Sequence, residues 1–192
     1  MLLSITFASD HRCFKTGDKF EFRKGINFLV GDQGTGKSTL LGVSKKYSQH
    51  RENKEKSKFF AKLKFDQKTV TYFFDFERDN PRLQPRFSNN VLAEVSALFS
   101  SHGETTLGIL SCLKNKKIKN ATIFQDEPDG SLSVRSAYTV LKLFDQIVEE
   151  HNVQIIASVH NPLFIQHVPE VLSLEHRKWM PSEEFIRSQK EK

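Results

Sequence analysis

A chain of 192 residues is the size of one compact domain, and 38% hydrophobic with 27% charged residues suits a globular chain, not a disordered or fibrous one. The 29 Lys and Arg against 23 Asp and Glu leave a net charge of +6, which favours an anionic partner, nucleotide as readily as nucleic acid. No stretch reaches the roughly 18 to 20 consecutive apolar residues of a membrane span, and Cys13 and Cys112, without CxxC spacing, read as reduced core thiols. The opening Met1 to Phe7 lacks the basic region of a signal peptide, so the expectation is a cytoplasmic chain forming a single domain over 1–192. Three short strands are predicted first, Leu3 to Ala8, Lys19 to Arg23 and Ile26 to Val30, with a turn at Lys24-Gly25 between the last two. A helix begins at Gly36-Lys37 and frays near Ser48, where the chain becomes highly charged. Strands follow at Phe59 to Phe65 and Thr69 to Phe76, then a turn-rich patch around Pro81 and Pro85, and short helices at Val91 to Phe99 and Glu104 to Leu113. The remaining order is a strand Ala121 to Gln125, a helix from about Ser133 to Glu150, a β-branched run Val153 to Val159, a helix Pro162 to His167 and a strand Val171 to Leu174. Such alternation implies a parallel sheet with helices on its faces. The tail, Trp179 to Lys192, reads as one amphipathic helix starting near Pro181. The 17 phenylalanines fall mostly in alternating or short apolar runs such as Lys19-Phe20-Glu21-Phe22, as a half-buried strand requires.

Gly31-Asp32-Gln33-Gly34-Thr35-Gly36-Lys37-Ser38 fits GxxxxGK[ST] and lies between a predicted strand and a helix, where its mechanism needs it. Glycines let backbone N–H groups curl around a phosphate, the helix N-terminus adds positive potential, Lys37 reaches the β and γ oxygens, and Ser38 can ligate Mg²⁺. Asp126 and Glu127 close a predicted strand, at the edge where open α/β sheets bind ligands. The first suits metal support and the second a general base; the plainer reading is a turn ending at Pro128 and Asp129. Ser101-His102-Gly103-Glu104 has the form of a capping box, and the capped helix start it makes would also favour an anion. His160 follows a strand, with Asn161-Pro162 as cap and first turn of the next helix.

In order along the chain, GDQGTGKST, SHGE, FQDEPDGSLS and ASVHNP resemble the Walker A, signature, Walker B with D-loop, and switch-histidine motifs of ABC-type ATPases. The resemblance is to small stand-alone bacterial and phage predicted ATPases carrying SHGE in place of LSGGQ, in the branch containing RecF and the SMC-like repair ATPases. It implies a P-loop NTPase fold of ABC-ATPase type, α/β, with a mostly parallel sheet flanked by helices. An N-terminal antiparallel β part, a short helical signature insertion at about 78–114 and a C-terminal helix at about 181–192 would complete it. It further implies that two subunits pair head to tail around ATP and Mg²⁺. Carried over by position, Gly31, Asp32, Gln33, Gly34, Thr35, Gly36, Lys37, Ser38 and Thr39 hold phosphates and metal. Asp126 supports the metal, Glu127 is the base and His160 senses the γ-phosphate. Ser101, Gly103 and Glu104 act on the partner's ATP, Ser131-Leu132-Ser133 is the D-loop, and Arg12 loosely matches a basic residue that reaches the nucleotide. Glu77 is nominated for the metal-side Q-loop position, with Gln84 as the alternative. The chain departs from the family at His102, which stands where LSGGQ has glycine, at Ser133, where Asp is usual, and at Gln125, which interrupts the apolar run.

The function expected is thus an ATP-gated homodimeric ATPase coupled to a protein or nucleic-acid partner. The alternative is a slow-turnover, nucleotide-dependent scaffold that recruits an effector in defence or anti-defence. A transporter's nucleotide-binding subunit and a small-molecule kinase fit less well, the kinase because phosphoryl acceptance needs no hydrolytic base. Between Lys37 and Ser101 the chain is too short for the coiled-coil arm of an SMC protein. Basic runs at Lys45-Lys46, Arg51 to Lys64 and Lys114 to Lys119 suit a phosphate backbone or a solvated surface.

Overall fold

The computed structural model describes residues 1–52, 59–75, 107–108, 110–111 and 118–191. Two sheets organise them. Strands β1 (Leu2–Phe7), β2 (Lys19–Glu21) and β4 (Ala61–Phe65) form an antiparallel sheet in the order β2-β1-β4. The larger sheet has six strands in the order β5-β6-β7-β3-β8-β9. Its members are β3 (Ile26–Val30), β5 (Val70–Asp75), β6 (Ala121–Asp126), β7 (Gln154–Ser158), β8 (Glu170–Ser173) and β9 (Lys178–Pro181). All pairs in it are parallel except β8 with β9. The helices are α1 (Lys37–Glu52), α2 (Val134–His151), α3 (Pro162–His167) and α4 (Ser182–Lys190).

Central strands covered on both faces should be apolar throughout, and β3, β6 and β7 are almost entirely buried. One core lies between the parallel sheet and α2, α3 and α4, around Phe28, Phe144 and Phe164. The other lies between the two sheets and α1, around Phe7, Phe14, Phe20 and Leu40. Helix α2 buries Ala137, Val140, Leu141, Phe144 and Ile147, one stripe at helical spacing, and is bounded by a Ser133 N-cap and a left-handed Asn152. Phe20 and Phe22 are buried while Lys19 and Glu21 are exposed, as the alternation predicts. Leu110 is helical and fully buried, within the helix predicted from Glu104 to Leu113.

Three expectations need correction. Lys24-Gly25 is not a hairpin turn: β2 pairs with β1, whereas β3 lies between β7 and β8. The chain changes sheets there, with Gly25 at φ +79° and the Asn27 side chain accepting from Arg23 N and donating to Arg23 O, both at 2.8 Å. The tail has its helix from Ser182, close to the expected start at Pro181, but Trp179 and its neighbours are not helical, because Lys178–Pro181 forms an edge strand first. Trp179 holds it there, donating its indole N–H to Glu21 O at 2.9 Å beneath the Arg23 guanidinium, 4.2 Å from the ring centroid. Cys13 is exposed, not a core thiol, because it sits in the β1–β2 connection against the phosphate loop. Cys112, the helix expected at Val91 to Phe99 and nearly all of the signature insertion lie outside the described residues. No described helix is long and apolar enough to cross a membrane.

Candidate functional site

Because β3, β6 and β7 are parallel neighbours, the chain leaves all three at the same edge of the sheet. The phosphate loop follows β3, Glu127 follows β6 and His160 follows β7. Register completes the convergence, since Asp126 is opposite Ser158, and Ser158 is opposite Leu29. Residues far apart in sequence therefore meet without any long side chain having to reach.

The loop Gly31 to Gly36 has a backbone that other residues could not adopt without strain. Gly31, Gly34 and Gly36 have φ of +142°, +85° and +101°. A Cβ on Gly31 would lie 2.8 Å from Thr35 Oγ1, and one on Gly36 would lie 2.5 Å from Cys13 Sγ and 2.7 Å from Phe14 Cζ. Thr35 closes the turn, its hydroxyl donating to Asp32 O at 2.8 Å. The first helical bond of α1, Leu40 N to Gly36 O at 2.8 Å, starts directly after it. The Lys37 side chain folds back over the loop and donates to Gly31 O at 2.8 Å and Asp32 O at 3.1 Å. Lys37 is buried, and loss of water pulls its pKa below the ordinary lysine value, opposed by the negative charges of Glu127, Asp126, Asp32 and Asp129. Arg12, left-handed at φ +54°, donates from Nη1 to Thr39 Oγ1 at 3.3 Å, so the β1–β2 connection is brought onto the first turn of α1.

Opposite the loop, Ser38 Oγ donates to Asp126 Oδ1 at 3.2 Å. Ser158, fully buried, donates to the same carboxylate oxygen and accepts from Glu127 N at 2.9 Å. Glu127 sits in the left-handed region at φ +52°, a conformation that costs free energy in a non-glycine residue. Its Oε1 lies 3.3 Å from His160 Nε2, with both side chains about half exposed, 53% and 48%. Asp129 Oδ2 accepts from His160 N at 2.6 Å and Asn161 N at 2.5 Å.

One hydroxyl and one carboxylate side by side, open to solvent on one side, fit Mg²⁺, which keeps several waters and takes few protein ligands. Among the described residues no cluster of three or more His, Cys, Asp or Glu could form a protein-only metal cage. The glycine loop with its buried lysine fits a phosphate chain. Two hollows flank this centre. One, of about 390 Å³, lies between His11, Arg12, Lys46, Phe73 and Asp126; the other, of about 530 Å³, lies between Gln33, Glu127, His160 and the α4 residues Phe185 and Gln189.

Of the residues singled out from sequence, the fold brings together Gly31 to Thr39, Arg12, Asp126, Glu127 and His160. Ser133 of the expected D-loop caps α2, its hydroxyl accepting from Ser136 N at 3.2 Å. Ser101, Gly103, Glu104, Glu77 and Gln84 lie outside the described residues. Ser158 and Asp129 were not singled out. Ser158 has a weak signal, a hydroxyl ending an apolar strand; Asp129 looked like one more turn residue.

The architecture is a mixed α/β P-loop fold of ABC-ATPase type, and solved structures of ABC transporters share that fold. A metal-chelate type ABC transporter in an inward-facing conformation superposes with a TM-score of 0.60 at 16% identity, over 96% of this chain and 85% of that one. CbiO1 from Clostridium perfringens, part of the ABC transporter complex CbiONQ, superposes with a TM-score of 0.58 at 12% identity, over 98% and 92%. No family profile matches the sequence, and no curated protein matches it either.

Proposed function

We propose that the chain is a Mg²⁺-dependent ATPase of ABC type that pairs head to tail with a second copy when ATP is bound. One observation carries the reading: the glycine loop with Lys37, the Ser38–Asp126 pair and the Glu127–His160 pair converge on one sheet edge. A triphosphate on the loop would meet the N–H groups of Gly34 to Ser38 and the Lys37 ammonium. Mg²⁺, held through Ser38 and Asp126, neutralises phosphate charge when bound. Glu127 takes the proton of a water whose oxygen bonds to the γ-phosphorus, and ADP leaves with the electron pair of the broken bridging bond. His160 donates toward the γ-phosphate oxygens from the same side. Arg12, whose guanidinium donates to Thr39 on the first turn of α1, would reach the nucleotide from that side. Ser101, Gly103 and Glu104 of a second copy would complete the phosphate from above.

Glu127→Gln removes the base and leaves phosphate binding in place. With Mg-ATP the variant is expected to double in mass by light scattering; a monomer at micromolar concentration would discard the ATP-bound pair. Phosphate release separates motor from scaffold: a persistent ATP-bound complex with little release by the unmodified chain favours recruitment over turnover. Exposed Lys46, Lys62 and Lys64 suit an anionic partner, protein or nucleic acid. Filter binding of nucleic acid that weakens with salt supports the second, and no binding at low salt removes it.

A further inference from the structure

Asp129 is buried, 6% exposed, in the tight turn that follows Glu127, and the hydrolytic step described above does not use it. A carboxylate in such a place needs a reason, because two further acids, Asp126 and Glu127, already stand near it. Its Oδ2 takes two main-chain N–H groups from one loop, His160 N at 2.6 Å and Asn161 N at 2.5 Å, while its Oδ1 is buried with no hydrogen-bond partner among the described residues. Capping of α3 does not explain the contact. Asn161 caps that helix with its own side chain, accepting from Leu163 N at 2.9 Å. What Asp129 holds is the approach to the helix, the two peptide groups that fix how the His160 imidazole leaves β7. Its own position is set by the turn, in which Gly130 N donates to Glu127 O at 3.1 Å and a Cβ on Gly130 would come within 3.3 Å of that oxygen. Glu127, in its left-handed conformation, and His160 are thus tied to a single buried carboxylate from opposite sides.

We propose that Asp129 is a positioning residue that sets His160 against Glu127, holding the switch-histidine loop and the base at one fixed separation. The assignment rests on the ATPase reading. The test uses the full chain with Mg-ATP. Asp129→Ala is expected to lower kcat by roughly tenfold or more, the scale of a misplaced reacting group. Its Kd for a fluorescent ATP analogue should stay within about threefold, because the phosphate loop is untouched. Asp129→Asn, which keeps an acceptor oxygen, should recover most of the loss. In a His160→Ala background Asp129→Ala should cost about twofold or less, since the group it positions is gone. Amide exchange supplies a readout independent of turnover: His160 and Asn161 N–H should exchange faster in Asp129→Ala than in the unmodified chain.

Undiminished kcat in folded Asp129→Ala, an equal loss in the His160→Ala background, or unchanged exchange at His160 and Asn161 would each overturn the assignment. If Asp129→Ala does not fold, Asp129→Glu keeps the charge but displaces the loop by a methylene, and full turnover in that variant overturns it equally. An unmodified chain that binds ATP without hydrolysing it removes the ATPase reading instead, and faster exchange in the variant then still identifies the clamp.

Discussion

Lys37 has exchanged water for the carbonyls of Gly31 and Asp32, and burial lowers its pKa against the pull of the surrounding carboxylates. A lysine with a depressed folded pKa binds fewer protons than the unfolded chain between the two values, so its contribution to stability rises with pH through that window. A triphosphate reverses the balance by adding negative charge beside the ammonium. Lys37→Met is therefore expected to lose roughly 100-fold or more in ATP affinity by calorimetry, the worth of a charge-assisted phosphate contact. The unfolding midpoint of the nucleotide-free chain should move little, because a partly desolvated cation is removed with its bonds. Asp10 has the same slope for the opposite reason, because its charged form is favoured in the folded chain. Thr16 N and Oγ1, each at 2.8 Å, and then Lys15 hold its carboxyl down at about 2. The stabilisation is complete above the unfolded value of 3.8 and is lost as pH falls from there toward about 2. Backbone resonances of the connection carrying His11 and Arg12 should shift over that range and stay flat in Asp10→Asn; flat resonances in the unmodified chain would show that Asp10 does not hold the connection.

Among elements, the phosphate loop and the β1–β2 connection constrain each other. Gly36→Ala would drive a methyl into Cys13 and Phe14 at a φ that side chains avoid. The expected cost is about 1–3 kcal/mol in a denaturant midpoint, together with weaker ATP binding. A Cys13→Ala change in the same chain should return part of the stability by clearing the contact; no return would locate the strain in the backbone alone. The loop was legible in the sequence because its information is local: glycine spacing between an apolar run and a helix. Helix α2 was legible for the same reason, its buried stripe and Ser133 cap being written in consecutive turns. Glu127 and His160 could be nominated because each follows a readable strand. What holds them was hidden. Ser158 meets Asp126, and Asp129 meets His160, across partners about thirty residues away, pairings set by strand register and by the packing of two loops. The strand at Trp179 was missed because it is only four residues long and its anchor, Glu21, is distant in sequence, whereas the residues after it repeat at helical spacing.

At the scale of the molecule, two sheets of different character must stay in register for Arg12 to reach α1, and one fully buried amide bridges them. Gln154 opens β7 and is fully buried. Its Oε1 accepts from Leu2 N at 2.8 Å and Thr122 Oγ1 at 2.9 Å, and its Nε2 donates to Leu2 O at 2.9 Å and Arg23 O at 2.8 Å. The amide's two donors and two acceptor sites are thus all used, on β1, on the connection after β2 and on β6. A fully satisfied buried network of this kind costs little to keep and much to break, because each abandoned partner is left dry. Gln154→Leu, close in volume, would take this partner from the buried Leu2 peptide and Thr122 hydroxyl, whereas Arg23 O keeps the Asn27 amide. The expected loss is about 2–4 kcal/mol, which lowers the thermal midpoint by roughly 5–15 °C in a chain of this size. Gln154→Glu separates shape from donor count: it keeps both acceptors for Leu2 N and Thr122 but presents oxygen to two carbonyls, so it should be at least as damaging at neutral pH and partly restored by acid. A Gln154→Leu midpoint equal to that of the unmodified chain would mean that apolar packing alone aligns the sheets; loss of the midpoint with ATP affinity intact would mean that the phosphate loop is held by the parallel sheet by itself.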